Sequence, residues 1–132
     1  MMRYILYKIY YGDELVYVGR TKQDLKQRLR NHFFGGNAMT KKLDILQVSR
    51  IEYYICETEA DLNLLEIYLI ALYKPRINKD DKPCDNLTIF LPEPQFYQYL
   101  DPIIDKWKEK QIEELIETFS LEHIDEDYFY WN

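Results

Sequence analysis

Two cysteines in 132 residues allow at most one disulfide, and neither Cys56 nor Cys84 lies in a cysteine or histidine cluster with metal-ligand spacing. A disulfide-stapled scaffold and a structural zinc site are therefore excluded, and a reduced setting is expected. Long apolar runs are also missing. The longest, residues 67–73, is far short of the ~20 positions of a membrane-crossing helix. The opening residues, Met-Met-Arg-Tyr-Ile-Leu-Tyr-Lys, are too charged and too short in apolar stretch for a secretory signal, so a cytoplasmic location is expected. No internal repeat or low-complexity tract occurs.

Positive charge is scarce in the sum, at 17 Lys and Arg against 23 Asp and Glu for a net charge of -6, which argues at first sight against a polyanionic partner. The distribution reverses that argument. Residues 1–82 hold 14 basic against 11 acidic residues, whereas 83–132 hold 3 against 12. Within 17–50, Arg20, Lys22, Lys26, Arg28, Arg30, Lys41, Lys42 and Arg50 meet only Asp24 and Asp44, an excess that could follow a phosphate backbone. Charge alone does not separate this from a solvated, lysine-rich helix face, the commoner occurrence.

The length suits one domain with an appendage, and a composition 47% hydrophobic and 16% aromatic supplies a core. Residues 3–10 and 15–20 flank Tyr11-Gly12-Asp13 and read as a hairpin; a three-residue loop would set Tyr10 against Glu14 and Tyr7 against Tyr17. Thr21 can cap a helix over 22–33 with Leu25, Leu29 and Phe33 on one face, stopped by Gly35-Gly36. A weaker helical segment over 38–46 and a strand over 49–57 follow. Thr58 opens a strong helix that ends at Lys74 because Pro75 removes a donor. After the charged loop 79–83, a short edge strand over 87–91 and a helical stripe over 96–119, broken near Pro102, are expected. The sum is an α/β (α+β) fold, a small three-stranded, mostly antiparallel sheet flanked by helices over 1–82, with an acidic helical extension over 83–132.

Glu66 breaks the folding rules. On a helical wheel with Leu62 at the origin, Leu65, Leu69 and Tyr73 fall at about 300°, 340° and 20°, and Glu66 falls at about 40°, inside the apolar stripe. An unpaired buried carboxylate is strongly disfavoured, so the group needs either a functional cation or a single arginine at the core edge. Arg28 and His32, four apart, share a face beside the Leu25, Leu29, Phe33 stripe. Such a pair suits phosphate chemistry, and it equally suits a boundary ion pair with a satisfied histidine.

Taken in order, these residues resemble the GIY-YIG nuclease superfamily. The first tripeptide stands as Ile5-Leu6-Tyr7 and the second as Tyr17-Val18-Gly19, continued by Arg20-Thr21-Lys22 and by Arg28-Leu29-Arg30-Asn31-His32. A later element, Leu64-Leu65-Glu66-Ile67 followed by Lys74-Pro75-Arg76-Ile77-Asn78, is similar to the nuclease module of the bacterial excision-repair incision enzyme; the Arg and His spacing is similar to phage homing endonucleases. The resemblance implies a DNA endonuclease with one divalent metal, Mg²⁺ or Mn²⁺, held by Glu66. It implies Tyr7, Tyr17, Arg28, His32 and Glu66 as catalytic residues, with Tyr17 or His32 as general base. Gly19, Arg20, Lys22, Lys26, Arg30, Lys41, Lys42 and Asn78 are then expected to hold or position the DNA backbone. A binding or regulatory module on the same scaffold is the rival, its acidic extension docking a protein partner, pairing two copies, or masking the basic surface. The apolar positions Trp107, Ile112, Leu115 and Phe119 favour packing or dimerisation for that extension.

Overall fold

A computed structural model of the chain describes residues 3–37, 40, 42–78 and 85–131, the last eleven by their backbone. Lys41, Cys84 and the charged loop 79–83 fall outside these residues. The elements run β1 (Tyr4–Tyr11), β2 (Glu14–Thr21), α1 (Leu25–Phe34), a 3-10 turn (Ile45–Gln47), β3 (Val48–Cys56), α2 (Glu59–Tyr73), β4 (Tyr97–Gln98) and α3 (Ile103–Trp131). The fold is α+β, and its sheet has four antiparallel strands in the order β2-β1-β3-β4. The expected three-stranded sheet is thus one strand short. Contacts divide the chain after Tyr99 into two compact units, with residues 85–99 in the first.

Several local expectations shift. The hairpin turns on Gly12 and Asp13 alone, with Gly12 at φ 58, so Tyr11 rather than Tyr10 meets Glu14. A two-residue turn with glycine at its first position, at positive φ, matches the right-handed twist of the strands. An irregularity between Ile9 and Tyr10 adds another step, and Tyr7 faces Gly19, not Tyr17. Helix α1 is capped by Asp24, which accepts from the Lys26 N–H, while Thr21 ends β2 and accepts from Gln23. The 87–91 segment is not a strand: Tyr68 takes both backbone groups of Leu91 on its hydroxyl, and Pro92 and Pro94 interrupt pairing. The edge strand lies instead at Tyr97–Gln98, where a helix was expected; α3 begins after Pro102.

Alternation sorts the sheet into two faces. Leu6, Val18 and Cys56 pack with Leu62, Leu69 and Ile70 of α2, and Phe96 and Leu87 close the margin. Full burial of Leu62 and of Leu69 contributes about 1.5–3 kcal/mol each. On the opposite face, Tyr7 and Tyr17 meet α1 through His32. Thr58 caps α2 by accepting from Asp61, and Lys74 ends it in the left-handed region at φ 47, donating to the Ile70 carbonyl before Pro75 turns the chain away. The turn delivers Ile77 and Asn78 to the outer edge of β2, where the Ile77 N–H donates to the Val16 carbonyl. In the second unit, Ile112, Leu115, Ile116 and Phe119 form an exposed apolar row. No helix among the described residues is long and apolar enough to cross a membrane.

Candidate active site

Tyr7 sits at the middle of β1, the strand flanked on both sides, and is fully buried. Its cross-strand neighbour is Gly19, and the absence of a side chain there is what makes room for two rings. A Cβ at Gly19 would lie 2.5 Å from the Tyr7 hydroxyl and 2.6 Å from the Tyr17 ring. Tyr17 packs diagonally against Tyr7, centroids 6.1 Å apart and planes at 45°. From α1, His32 approaches Tyr17 edge-on at 5.5 Å and hydrogen-bonds the Tyr7 hydroxyl through Nε2.

The electrostatics fix who donates. Burial, then the positive charge of Arg28, lowers the His32 pKa to about 4, so the imidazole is neutral at ordinary pH. Burial first, then the neighbouring Tyr17, raises the Tyr7 phenol well above its usual value, against an opposing pull from Arg28. Tyr7 therefore stays protonated and donates to His32 Nε2. Its oxygen is also within hydrogen-bonding reach of Tyr17 and of the Arg28 guanidinium, carried by the exposed face of α1 one turn before His32.

Glu66 is 8% exposed in the buried stripe of α2, its carboxylate 3.7 Å from Arg20 Nε. Arg20 follows Gly19 directly, so the ion pair ties α2 to the end of β2 that carries Tyr17 and Gly19. Among the described residues no three His, Cys, Asp or Glu side chains gather as a metal cage. A single hard carboxylate with a half-exposed counter-charge fits Mg²⁺, which keeps several waters and binds through one or two carboxylates plus phosphate oxygens.

The remaining sequence candidates separate. Lys26, Arg30 and Lys42 are exposed, and Lys22 pairs with Glu59 at the start of α2. Asn78 is 1% exposed and spends its side-chain amide on one backbone: Oδ1 accepts from the Val18 N–H at 2.7 Å and Nδ2 donates to the Val18 carbonyl at 2.9 Å. These two bonds hold β2 beside Tyr17. Sequence reasoning missed Lys8, an ammonium 6% exposed behind Tyr7 on the α2 face. It pairs with Glu93 and lies 4.0 Å from the centroid of Phe96. Tyr73 also donates to Glu93, a bond that, with burial, pushes its phenol to about 12. An out-of-place lysine in an otherwise apolar strand was the available signal; its partner 85 residues away was not visible.

Residues 3–80 match the family described as the GIY-YIG catalytic domain, and that span covers every catalytic candidate above. No solved structure matches the chain. With the two tyrosines of the hairpin, the Arg and His of the first helix and the glutamate of the second in family order and in one unit of the fold, the chain belongs to the GIY-YIG nuclease family.

Proposed function

We propose that this protein is a metal-dependent endonuclease that hydrolyses phosphodiester bonds in DNA. The observation that carries the reading is one cluster, Tyr7, Tyr17 and His32 with Arg28 at its rim, on a fold whose second helix buries a carboxylate, Glu66. A protein selected for stability alone gains nothing from either feature, because neutral apolar residues would pack both places.

Each side chain has a part. Tyr17 accepts the proton of the attacking water as its own hydroxyl proton passes to the Tyr7 oxygen and the Tyr7 proton passes to the neutral His32 Nε2. His32, 2% exposed and engaged through Nε2, fixes the Tyr7 hydroxyl rather than meeting the water itself. Tyr7 in turn offers its oxygen to Tyr17 and Arg28, holding both in place. Arg28 meets the charge that builds on the phosphoryl oxygens, where a preorganised donor contributes most. A Mg²⁺ or Mn²⁺ held by Glu66 would supply Lewis-acid stabilisation of phosphoryl charge. Arg20, Lys22, Lys26, Arg30 and Lys42, on β2, α1 and the segments that follow each, support the DNA backbone by charge, giving affinity that falls with salt and little base reading.

The test is incubation of the full chain with supercoiled plasmid and with branched DNA, in Mg²⁺ or in chelator, beside Glu66→Ala and Arg28→Ala. Nicking is expected only with Mg²⁺, reduced by about 100-fold or more in each variant while circular dichroism reports an intact fold. DNA binding without cleavage on any substrate would overturn the enzyme and support a binding module.

A further inference from the structure

A second concavity opens beside the cluster, on the same face of the sheet. It encloses about 480 Å³, within the ~300–1,000 Å³ range of small-molecule sites. Ile5 forms its floor, two positions from Tyr7 on β1, and Tyr53, the direct cross-strand neighbour of Tyr7 on β3, forms one wall. Tyr99 forms another, its ring perpendicular to Tyr53 at 87° with centroids 6.4 Å apart. The Tyr99 N–H donates to the Ile51 carbonyl at 2.7 Å, which fixes the backbone that carries this ring. Arg3, Gln23 and Asp24 supply the polar rim.

We propose that this pocket receives an unpaired nucleobase next to the phosphodiester that is cut. The inference rests on the nuclease reading and adds its substrate class: a strand with unpaired nucleotides at the cleavage position. Two perpendicular tyrosine rings give a base one face to stack on and one edge to abut, a contact that every base can make. The Gln23 amide can donate to and accept from a base edge, and Arg3 can reach the adjoining phosphate. Asp24 repels a phosphate from the pocket itself, so the base enters and the backbone stays outside. A base paired within a duplex has its faces covered by its neighbours and cannot enter without being extruded. Opposed residues such as Tyr7 and Tyr53 have Cβ atoms only ~5 Å apart, so a base in the pocket and its neighbouring phosphate at Tyr17 and Arg28 belong to adjacent positions of one strand. Tyr99 lies beyond the residues 3–80 that match the family, so this chain closes the pocket with residues of its own.

The experiment measures binding in chelator, where cleavage plays no part. Fluorescence anisotropy compares a labelled single strand, a blunt duplex and a duplex with a single-stranded flap, all of one sequence. Wild type is expected to bind the flap and the single strand about tenfold tighter than the blunt duplex. Tyr99→Ala should remove most of that preference and leave blunt-duplex affinity unchanged, while Tyr99→Phe keeps it, since stacking needs the ring and not the hydroxyl. Arg3→Gln, at an exposed position that the fold does not need, should weaken the same preference. A 2-aminopurine at the first unpaired position should be quenched by wild type and not by Tyr99→Ala. Equal binding of flap and blunt duplex by wild type, or a preference retained in both Tyr99→Ala and Arg3→Gln, overturns the proposal. Nicking in Mg²⁺ without flap preference overturns the pocket alone, and flap preference without nicking overturns the nuclease reading alone.

Discussion

Acidification from pH 7 to pH 4 tests the burial of His32 directly. The ring is 2% exposed, and burial, then Arg28, lowers its pKa to about 4, against ~6.5 in an unfolded chain. Between those values the unfolded chain binds more protons than the folded one, so stability is full above pH 6.5 and falls as the pH drops toward 4. At 1.36 kcal/mol per pKa unit, the loss from this one group is about 2 kcal/mol by pH 5 and about 3 kcal/mol by pH 4. Urea unfolding midpoints at pH 7, 5 and 4 would be compared between wild type and His32→Phe. The variant leaves the Tyr7 hydroxyl without its acceptor, which costs about 1–3 kcal/mol at pH 7, but it has no imidazole to protonate. The two stabilities should therefore converge as the pH falls, with the carboxylates titrating alike in both. Parallel curves, or an NMR titration placing the His32 imidazole near 6.5, would refute the account of a buried neutral acceptor.

Three further outcomes follow from the same geometry. Gly19→Ala places a methyl 2.5–2.6 Å from Tyr7 and Tyr17, so it should cost about 1–3 kcal/mol in chemical denaturation and, by displacing both phenols, lower nicking about 100-fold; unchanged cleavage would show that the tyrosines need no such placement. Asn78→Ala strands the N–H and C=O of Val18, and a loss of about 2–4 kcal/mol should appear in thermal melts, with Mg²⁺-dependent activity surviving below the new midpoint. Glu93→Ala leaves the Lys8 ammonium buried without its partner and should cost about 3 kcal/mol; adding Lys8→Met should recover part of it, and simple additivity in that double-mutant cycle would contradict the pairing.

How much of this was legible in the sequence depends on how far apart the interacting residues lie. Helices α1 and α2, strand β3 and the out-of-place Glu66 follow from local periodicity, and α2 also from its Thr58 cap, and each stands within a few residues of its expected limits. The hairpin register did not, because one residue more or less in the turn and an irregularity at Ile9 and Tyr10 move every pairing, and neither is written in hydrophobic pattern. Strand β4 has two residues, too few for any period, and exists because β3 offers it an open edge. The catalytic candidates were found by motif order; what the motif could not give was the neutral state of His32, the commitment of Asn78 to Val18, or Arg20 as the counter-charge of Glu66. Lys8 and Glu93 are unreadable separately, since each is ordinary until the chain brings 85 residues of separation to one contact.

That last contact also sets a schedule. The strand bearing Tyr7 emerges among the first residues made, yet the ammonium beside it lacks its carboxylate partner, and the sheet its fourth strand, until Glu93 and Tyr97 have been added. At about 5–20 residues per second, a ribosome takes about 4–17 s to travel from Lys8 to Glu93. A nascent chain released early, or cut before that point, carries every family motif and still lacks the piece that lets its central strand settle, so the first unit reaches its final packing only when its synthesis is nearly complete.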